Sequence, residues 1–212
     1  MGKNKGFTLV EMLIVIGIMG ILASVMVVSL SHMKKTALQA QAQSLVTEVA
    51  TALNILLQQE RQWPDEILEY SKETEGGCVP EVCAVFQSKK LMDISTYKQG
   101  AIGTTINEDS LDRFGILDPY GRAALKKVPK CQDAGRQIPD GSGTYKDHRI
   151  QYRVDKNYDG FVDSSEGAPK GMKVRASVIV WSRGPDGKDA ERAGGKFPGD
   201  DRLSWSVAGT AE

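Results

Sequence analysis

Residues 1–30 read MGKNKGFTLVEMLIVIGIMGILASVMVVSL, and the rest of the chain is organised around this stretch. A polar leader, residues 1–6, precedes an apolar run, Phe7 to Leu30, in which Glu11 is the only ionisable side chain. As a helix rising about 1.5 Å per residue, the run measures about 36 Å, whereas the hydrocarbon core of a bilayer is about 30 Å thick. We therefore predict that residues 7–30 form a transmembrane helix.

Two simpler interpretations of this stretch are a secretory signal peptide and a plain membrane anchor. The apolar run is longer than the roughly 7–15 residues of a signal-peptide core, and apolar residues continue beyond a candidate cleavage site at Ala23-Ser24. A plain anchor explains the length but not Glu11. A carboxylate within a membrane costs about 2.5 kcal/mol or more, so Glu11 is expected to have a partner and a function.

The segment GFTLVE, residues 6–11, resembles the processing site of type IV pilins and type II secretion pseudopilins. The resemblance implies that a prepilin peptidase cuts between Gly6 and Phe7 and methylates the new N-terminus. It also implies that Glu11 pairs with the terminal amine of a neighbouring subunit, since a buried carboxylate and a buried ammonium offset each other's desolvation. Gly20-Ile21-Leu22-Ala23 matches the family as well, whereas the proline that many members carry eight residues after that glycine is Val28 here.

The composition sets limits on the rest of the chain. The 212 residues include 27 basic and 27 acidic side chains, so no basic excess points to nucleic acid. Roughly 180 residues follow the apolar run, enough for one modest core. Lys3 and Lys5 precede the run and Lys34 and Lys35 follow it, so charge does not set its orientation. The resemblance implies a cytoplasmic N-terminus and a periplasmic head, first in the inner membrane and then in a periplasmic pseudopilus.

The three cysteines favour an exported body. Cys78 and Cys83 are five residues apart, and we predict a disulfide between them that leaves Cys131 as a free thiol. The alternative is three reduced cysteines in a core or loop, because spacing alone does not prove a bridge. Zinc is not expected, since His32 and His148 are the only histidines and neither is near a cysteine pair.

Residues 31–62 continue the first helix as an amphipathic half. Residues 31–60 contain no glycine or proline, and their apolar positions recur at helical spacing. We therefore predict one helix of about 80 Å from Phe7 to about Gln62, whose second half packs on a globular head. Pro64 marks its end. The apolar stripe consists of Leu38, Leu45, Val49, Leu53 and Leu56.

Residues 63–147 form a variable region of short helices and loops. Helices are predicted at Asp65–Glu75 and Pro80–Leu91, a helical turn at Asp109–Phe114, and a short strand at Leu125–Val128. The sequence DPYG, residues 118–121, is a strong turn signal. It resembles the Asp-Pro-aromatic-Gly element of major pseudopilins, which enters the first strand of their sheet.

Residues 148–212 show the alternation of a β-sheet. Apolar side chains alternate with polar ones from His148 to Val154, and further strands are predicted at Val174–Trp181 and Leu203–Val207. Three strands joined by long acidic loops predict an antiparallel sheet packed on the amphipathic helix. The fold class is therefore α+β, with a long N-terminal helix and a small sheet head.

The first acidic loop, residues 155–166, reads DKNYDGFVDSSE and matches the twelve-residue calcium pattern D-x-[DN]-x-[DN]-G-x5-E. Hard oxygen ligands at alternate positions suit calcium, and the glycine permits the sharp turn. The alternative is an acidic hairpin loop with an Asp-Gly turn. The predicted ligands are Asp155, Asn157, Asp159, the Phe161 carbonyl, Asp163 and Glu166.

The second acidic loop, residues 182–201, resembles the calcium loop of major type II secretion pseudopilins. That resemblance implies ligands from Asp186, Asp200 and Asp201, with carbonyl help from near Ser182. The alternative is a set of salt bridges to basic residues within the loop, which are Arg183, Lys188, Arg192 and Lys196. In both loops calcium is predicted to be structural, because ion binding offsets the entropy lost when a long loop is ordered.

Three functional classes follow. The first is a pseudopilin that polymerises with itself and works with minor pseudopilins, the prepilin peptidase, an assembly ATPase and an inner-membrane platform. The second is a type IV pilus pilin, major or minor, for adhesion, motility or DNA uptake. The third is a membrane-anchored enzyme, which we do not expect, since the sequence offers no Ser/His/Asp or Cys/His arrangement and no phosphate loop.

Overall fold

The computed structural model describes residues 9–71, 76–93, 115–121, 144–168, 172–187 and 202–204. Several predictions lie outside these ranges, so the structure says nothing about them. They concern Gly6, Phe7, Asp109–Phe114, Leu125–Val128, Cys131, Asp200 and Asp201.

Helix α1 spans Leu9–Glu60, which confirms the single long helix predicted from the sequence. It passes Val28 without a break. It ends where Arg61 adopts a left-handed φ of 63° and its N–H donates to the Leu57 carbonyl at 2.9 Å. The chain divides into two compact units, Met1–Leu38 and Gln39–Glu212.

In the first unit, every side chain that the structure describes between residues 9 and 26 is exposed. Most are large and apolar; Leu9 is 79% exposed and Ile21 is 68% exposed. Glu11 lies in the first turn of α1, where the helix dipole favours a negative charge. The predicted membrane span stays a prediction: among the described residues, no helix has both the length and the apolar character needed to cross a membrane.

In the second unit, α1 buries the predicted apolar stripe. Leu45, Val49, Leu53 and Leu56 are buried in the main core, and Leu38 belongs to the other unit. Two short helices complete this side of the core: α2, Asp65–Tyr70, and α3, Pro80–Ser88. Both confirm the predicted helices, although each is shorter than expected. Their buried apolar side chains include Ile67, Val82 and Phe86.

The sheet contains three antiparallel strands in the order β1–β4–β5, which are Gln151–Val154, Val178–Ser182 and Arg202–Leu203. Tyr152 lies opposite Val180 in the β1–β4 register, and Trp181 lies opposite Leu203 in the β4–β5 register. The predicted three-stranded antiparallel sheet is therefore confirmed.

The predicted strand Val174–Trp181 is divided in the structure. Its first part belongs to β3, Lys173–Val174, which pairs with β2, Val162–Asp163, in a separate two-stranded sheet. A bend at residues 175–177 separates β3 from β4.

Both faces of β1 are buried, although its sequence alternates. Apolar Tyr152 packs in the main core, whereas Arg153 faces a second cluster that contains Val162, Ile179 and Trp181. The Arg153 guanidinium lies 5.1 Å from the Trp181 ring centroid, and its Nε donates to the Gly167 carbonyl at 2.7 Å. The β2–β3 layer thus covers the face that alternation alone would assign to solvent.

The predicted Cys78–Cys83 disulfide is not present: both residues are buried, and their sulfurs are reduced thiols. Val79 is the N-cap of α3, so Cys78 and Cys83 occupy the N′ and N4 positions, which pack together as a hydrophobic staple. The Cys83 thiol faces the Cys78 backbone, with Sγ 3.8 Å from the carbonyl oxygen. Burial raises the pKa of the Cys78 thiol well above its usual value. Staple packing therefore accounts for the five-residue spacing without a covalent bond.

Candidate functional site

The first acidic loop begins at the end of β1 with a set of side chains that accept backbone N–H groups. Asp155 Oδ2 accepts from Gly160 N at 2.8 Å, and its Oδ1 accepts from Asp159 N at 3.2 Å. Asn157 Oδ1 accepts from Asp159 N at 2.9 Å, and Asp159 Oδ1 accepts from Phe161 N at 2.8 Å. These bonds wind residues 155–161 into a tight coil.

The other end of the loop folds back onto this coil. Glu166 Oε1 accepts from the backbone N–H groups of Lys156 and Asn157, and its Oε2 accepts from Asp163 N at 3.4 Å. Asp163 Oδ1 accepts from the Ser165 hydroxyl at 2.6 Å and from the Ser165 N–H at 2.8 Å, and these bonds lower the pKa of Asp163. Asp155 and Glu166, the first and last predicted ligands, are both buried.

The backbone of the loop requires two left-handed residues. Gly160 has a φ of 86°, as expected for the glycine in the calcium pattern, and Tyr158 has a φ of 58°. A tyrosine rarely adopts this conformation, because its Cβ crowds the backbone. Glycine would therefore adopt the backbone conformation of position 158 with less strain than tyrosine does.

The donor chemistry of this loop fits calcium. Carboxylate and amide oxygens are its preferred ligands, and a carboxylate oxygen that accepts one N–H keeps a further lone pair. Within the described ranges, however, no group of three or more His, Cys, Asp or Glu side chains is gathered closely enough to hold a metal ion. Calcium at this loop therefore stays a prediction.

The second acidic loop begins at Ser182, the last residue of β4. Asp186 follows in a 3₁₀ turn, Gly184–Asp186, and is partly buried. Arg183, the first of the competing bases, pairs with Asp147, since its NH1 lies 3.7 Å from Asp147 Oδ1. Because Asp200 and Asp201 lie outside the described residues, the structure does not show whether the ligand set comes together.

The Ser182 side chain belongs to a buried polar cluster, which we call the Asp118 cluster and define as Asp118, His148 and Ser182. The Ser182 hydroxyl donates to Asp118 Oδ2 at 2.9 Å, and His148 Nδ1 lies 3.3 Å from Asp118 Oδ1. Asp118 Oδ1 also accepts from Gly121 N at 2.8 Å, so in place of the predicted turn Asp118 caps a helical segment that includes residues 119–121.

The Asp118 cluster contains the residue types of a nucleophilic triad in a different arrangement. In a triad the serine hydroxyl bonds to the imidazole, and the imidazole bonds to the carboxylate. In this cluster the hydroxyl bonds to the carboxylate, and all three side chains are at most 1% exposed. The arrangement can join this helical segment, the start of the sheet and the end of β4.

Sequence reasoning missed the contacts between the first acidic loop and the end of α1. Trp63 donates two hydrogen bonds to this loop, one to Tyr158 Oη at 2.7 Å and one to the Asp155 carbonyl at 2.9 Å. Lys156 Nζ donates to the Ser71 carbonyl at 2.9 Å. No local sequence pattern predicts these contacts, because 95 residues separate Trp63 from Tyr158.

Residues 1–27 match the family model of the prokaryotic N-terminal methylation motif. The match includes Gly6, Phe7 and Glu11, which the sequence predicted for processing and assembly. The chain therefore carries a type IV pilin-like N-terminus of the kind that a prepilin peptidase processes. The comparisons with curated proteins and with solved structures found no significant match.

Proposed function

We propose that this chain is a pseudopilin, a structural subunit of a type II secretion pseudopilus. The single observation that carries the proposal of a processed filament subunit is the methylation motif at residues 1–27, which overlaps the start of helix α1. The choice of the secretion type rests on the acidic loops. A prepilin peptidase would cut after Gly6 and methylate Phe7. The processed subunits would then assemble into a helical filament that drives protein export.

The exposed apolar surface of residues 9–26 supports assembly. Apolar surface left in water costs about 25 cal/mol per Å², and extended exposed patches mark contacts with membranes or other proteins. We propose that lipid covers this surface in the inner membrane and that other copies cover it in the filament. A head-to-tail interface that does not close into a ring produces such a filament.

Glu11 is proposed to fix the register between subunits. It lies four residues after Phe7 in the sequence and in the first turn of α1. An ammonium group from a neighbouring subunit would offset the cost of moving this carboxylate into an apolar helix bundle.

Calcium is proposed as a structural ion of the head. Asp155, Asn157, Asp159, Asp163, Glu166 and the Phe161 carbonyl would hold it at the first loop. Asp186, Asp200, Asp201 and a carbonyl near Ser182 would hold it at the second. When bound, the ion would supply positive charge that stabilises the folded loops relative to the unfolded chain. In the first loop, Asp155 and Glu166 already accept hydrogen bonds from the loop backbone, which orders their oxygen atoms.

A type IV pilus pilin is the second candidate, because the methylation motif is common to both kinds of filament. The zero net charge argues against DNA binding, and the acidic loops favour the secretion subunit. In either case the role is structural and not enzymatic. The proposed partners are further copies, minor pseudopilins, the prepilin peptidase, the inner-membrane platform and its ATPase.

The test is deletion of the gene in its own host, with secretion and pili measured together. Loss of exoprotein secretion with surface pili retained supports the pseudopilin. Loss of pili or twitching with secretion intact supports the pilus pilin instead. Complementation with the wild-type chain is the control.

A further inference from the structure

Both the backbone and the side chain of Trp63 are hydrogen-bonded to the first acidic loop. Its backbone N–H donates to Tyr158 Oη, and its indole Nε1–H donates to the Asp155 carbonyl, at 2.7 and 2.9 Å. Trp63 is only 3% exposed and follows closely on the last residue of α1. The loop therefore fixes the point at which the chain leaves the long helix.

A second attachment lies on the other side of α2. Lys156 Nζ donates to the Ser71 carbonyl at 2.9 Å, and the Ser71 hydroxyl accepts from Val154 N at 3.2 Å. Trp63 and Ser71 bracket α2, so the loop and the end of β1 hold the whole α1–α2 corner, residues 61–71.

The strained residue of the loop makes one of these bonds. Tyr158 adopts a left-handed conformation that glycine would adopt more readily, but glycine has no hydroxyl with which to reach Trp63. About half of the Tyr158 side chain is exposed, so core packing does not account for it. The contact with Trp63 does account for it.

We propose that the loop Asp155–Glu166 is a conformational strap that holds the α1–α2 corner against the sheet, and that calcium binding at the loop is transmitted to Trp63. The calcium part rests on the proposed function. An ion that binds only the ordered loop stabilises that state, and the bonds that need the ordered loop are stabilised with it.

The strap is tested without metal, on the full-length chain in detergent micelles. Hydrogen exchange of the Trp63 amide is measured by NMR in the wild type and in Tyr158→Phe. The variant is expected to exchange about fivefold faster, the factor that one typical hydrogen bond contributes. Ser164→Ala, an exposed change in the same loop, is the control and should leave the rate unchanged. An unchanged rate in Tyr158→Phe overturns the strap.

Transmission is tested by adding calcium chloride, with binding measured separately by calorimetry. Wild-type Trp63 exchange should slow at least about fivefold, and the slowing should be smaller in Tyr158→Phe. Calcium that binds without slowing Trp63 exchange overturns transmission and leaves the calcium site standing. No calcium binding overturns both, whereas the strap is still decided by the metal-free comparison.

Discussion

The Ser182 hydroxyl donates to Asp118 Oδ2 at 2.9 Å, although 64 residues separate the two along the chain. The same carboxylate contacts His148 and accepts from the Gly121 N–H, so three other residues share one buried acid. This acid joins the helical segment at residues 119–121 to the start of β1 and to the end of β4, which lie at the same end of the antiparallel pair.

We expect Asp118→Ala to lower the free energy of unfolding by about 3 kcal/mol or more, because it leaves several buried polar groups without their acceptor. Ser182→Ala should cost about 1 kcal/mol, since it removes one hydrogen bond. Urea denaturation monitored by circular dichroism measures both. Equal, small effects from the two variants would show that Asp118 is not the centre of the cluster.

Native protein is expected to begin at Phe7 with one added methyl group. The reason is the methylation motif at residues 1–27, together with the cut after Gly6 that the resemblance to pilins implies. Mass spectrometry of the protein extracted from membranes measures the terminus directly. An intact Met1, or a terminus near Ser24, would contradict processing by a prepilin peptidase.

Glu11→Ala should abolish filaments while leaving the head folded, because the proposed pairing with a neighbouring N-terminus is lost. Electron microscopy of overexpressed filaments and circular dichroism of the purified chain measure the two properties. Glu60→Ala is the matched control: it removes an exposed glutamate from the same helix, one whose ion pair with Lys89 contributes about 0–1 kcal/mol. Normal filaments from Glu11→Ala would remove its assigned role.

Chelation with EGTA should lower the thermal stability of the full-length chain. An ion present at about 100 times its dissociation constant contributes about 2.7 kcal/mol to folding. Asp159→Ala combined with Asp186→Ala should abolish the response, whereas the exposed Asp65→Ala should keep it. If EGTA leaves the thermal stability of the wild-type protein unchanged, both loops are ordered by interactions other than calcium binding.

Alkaline pH should destabilise the head. Burial raises the pKa of Cys78 and of Tyr152 well above their usual values of 9.0 and 10.0. The contribution of these two groups to stability is therefore constant below about pH 8 and falls as the pH rises through their unfolded-state values, because the unfolded chain releases these protons first, at up to about 1.4 kcal/mol per pH unit for each group. Urea midpoints at pH 8 and pH 10 measure the slope. Cys78→Ala should show a shallower slope than the wild type, whatever its absolute stability, and an equal slope would contradict the assignment.

The long helix and the three strands could be predicted because their patterns extend over many residues. The stripe from Leu45 to Leu56 repeats at helical spacing, and β1 alternates. The burial of Arg153 could not be predicted, because its cover comes from the β2–β3 layer, whose strands contain two residues each. The split of the predicted strand Val174–Trp181 into β3 and β4 could not be predicted either, because β3 pairs with the equally short β2.

Of the candidate sites, the first acidic loop could be predicted from the sequence, whereas the Asp118 cluster and the Trp63 contacts could not. The first acidic loop is continuous in sequence, so its residues and its turn at Gly160 could be read directly. The Asp118 cluster and the Trp63 contacts join residues 30 to 95 positions apart, and no local spacing encodes such pairs. The Cys78–Cys83 disulfide was wrongly preferred to reduced cysteines, because a hydrophobic staple and a disulfide produce the same five-residue spacing.

Helix α1 is unbroken where many members of the resembled family carry a proline, at Val28. A proline would remove a backbone hydrogen bond there and give the rod a weak point under tension. This chain has its full ladder of backbone bonds at that position. A fibre built from it would therefore resist stretching within each subunit, and elongation under load would have to come from slippage between neighbours.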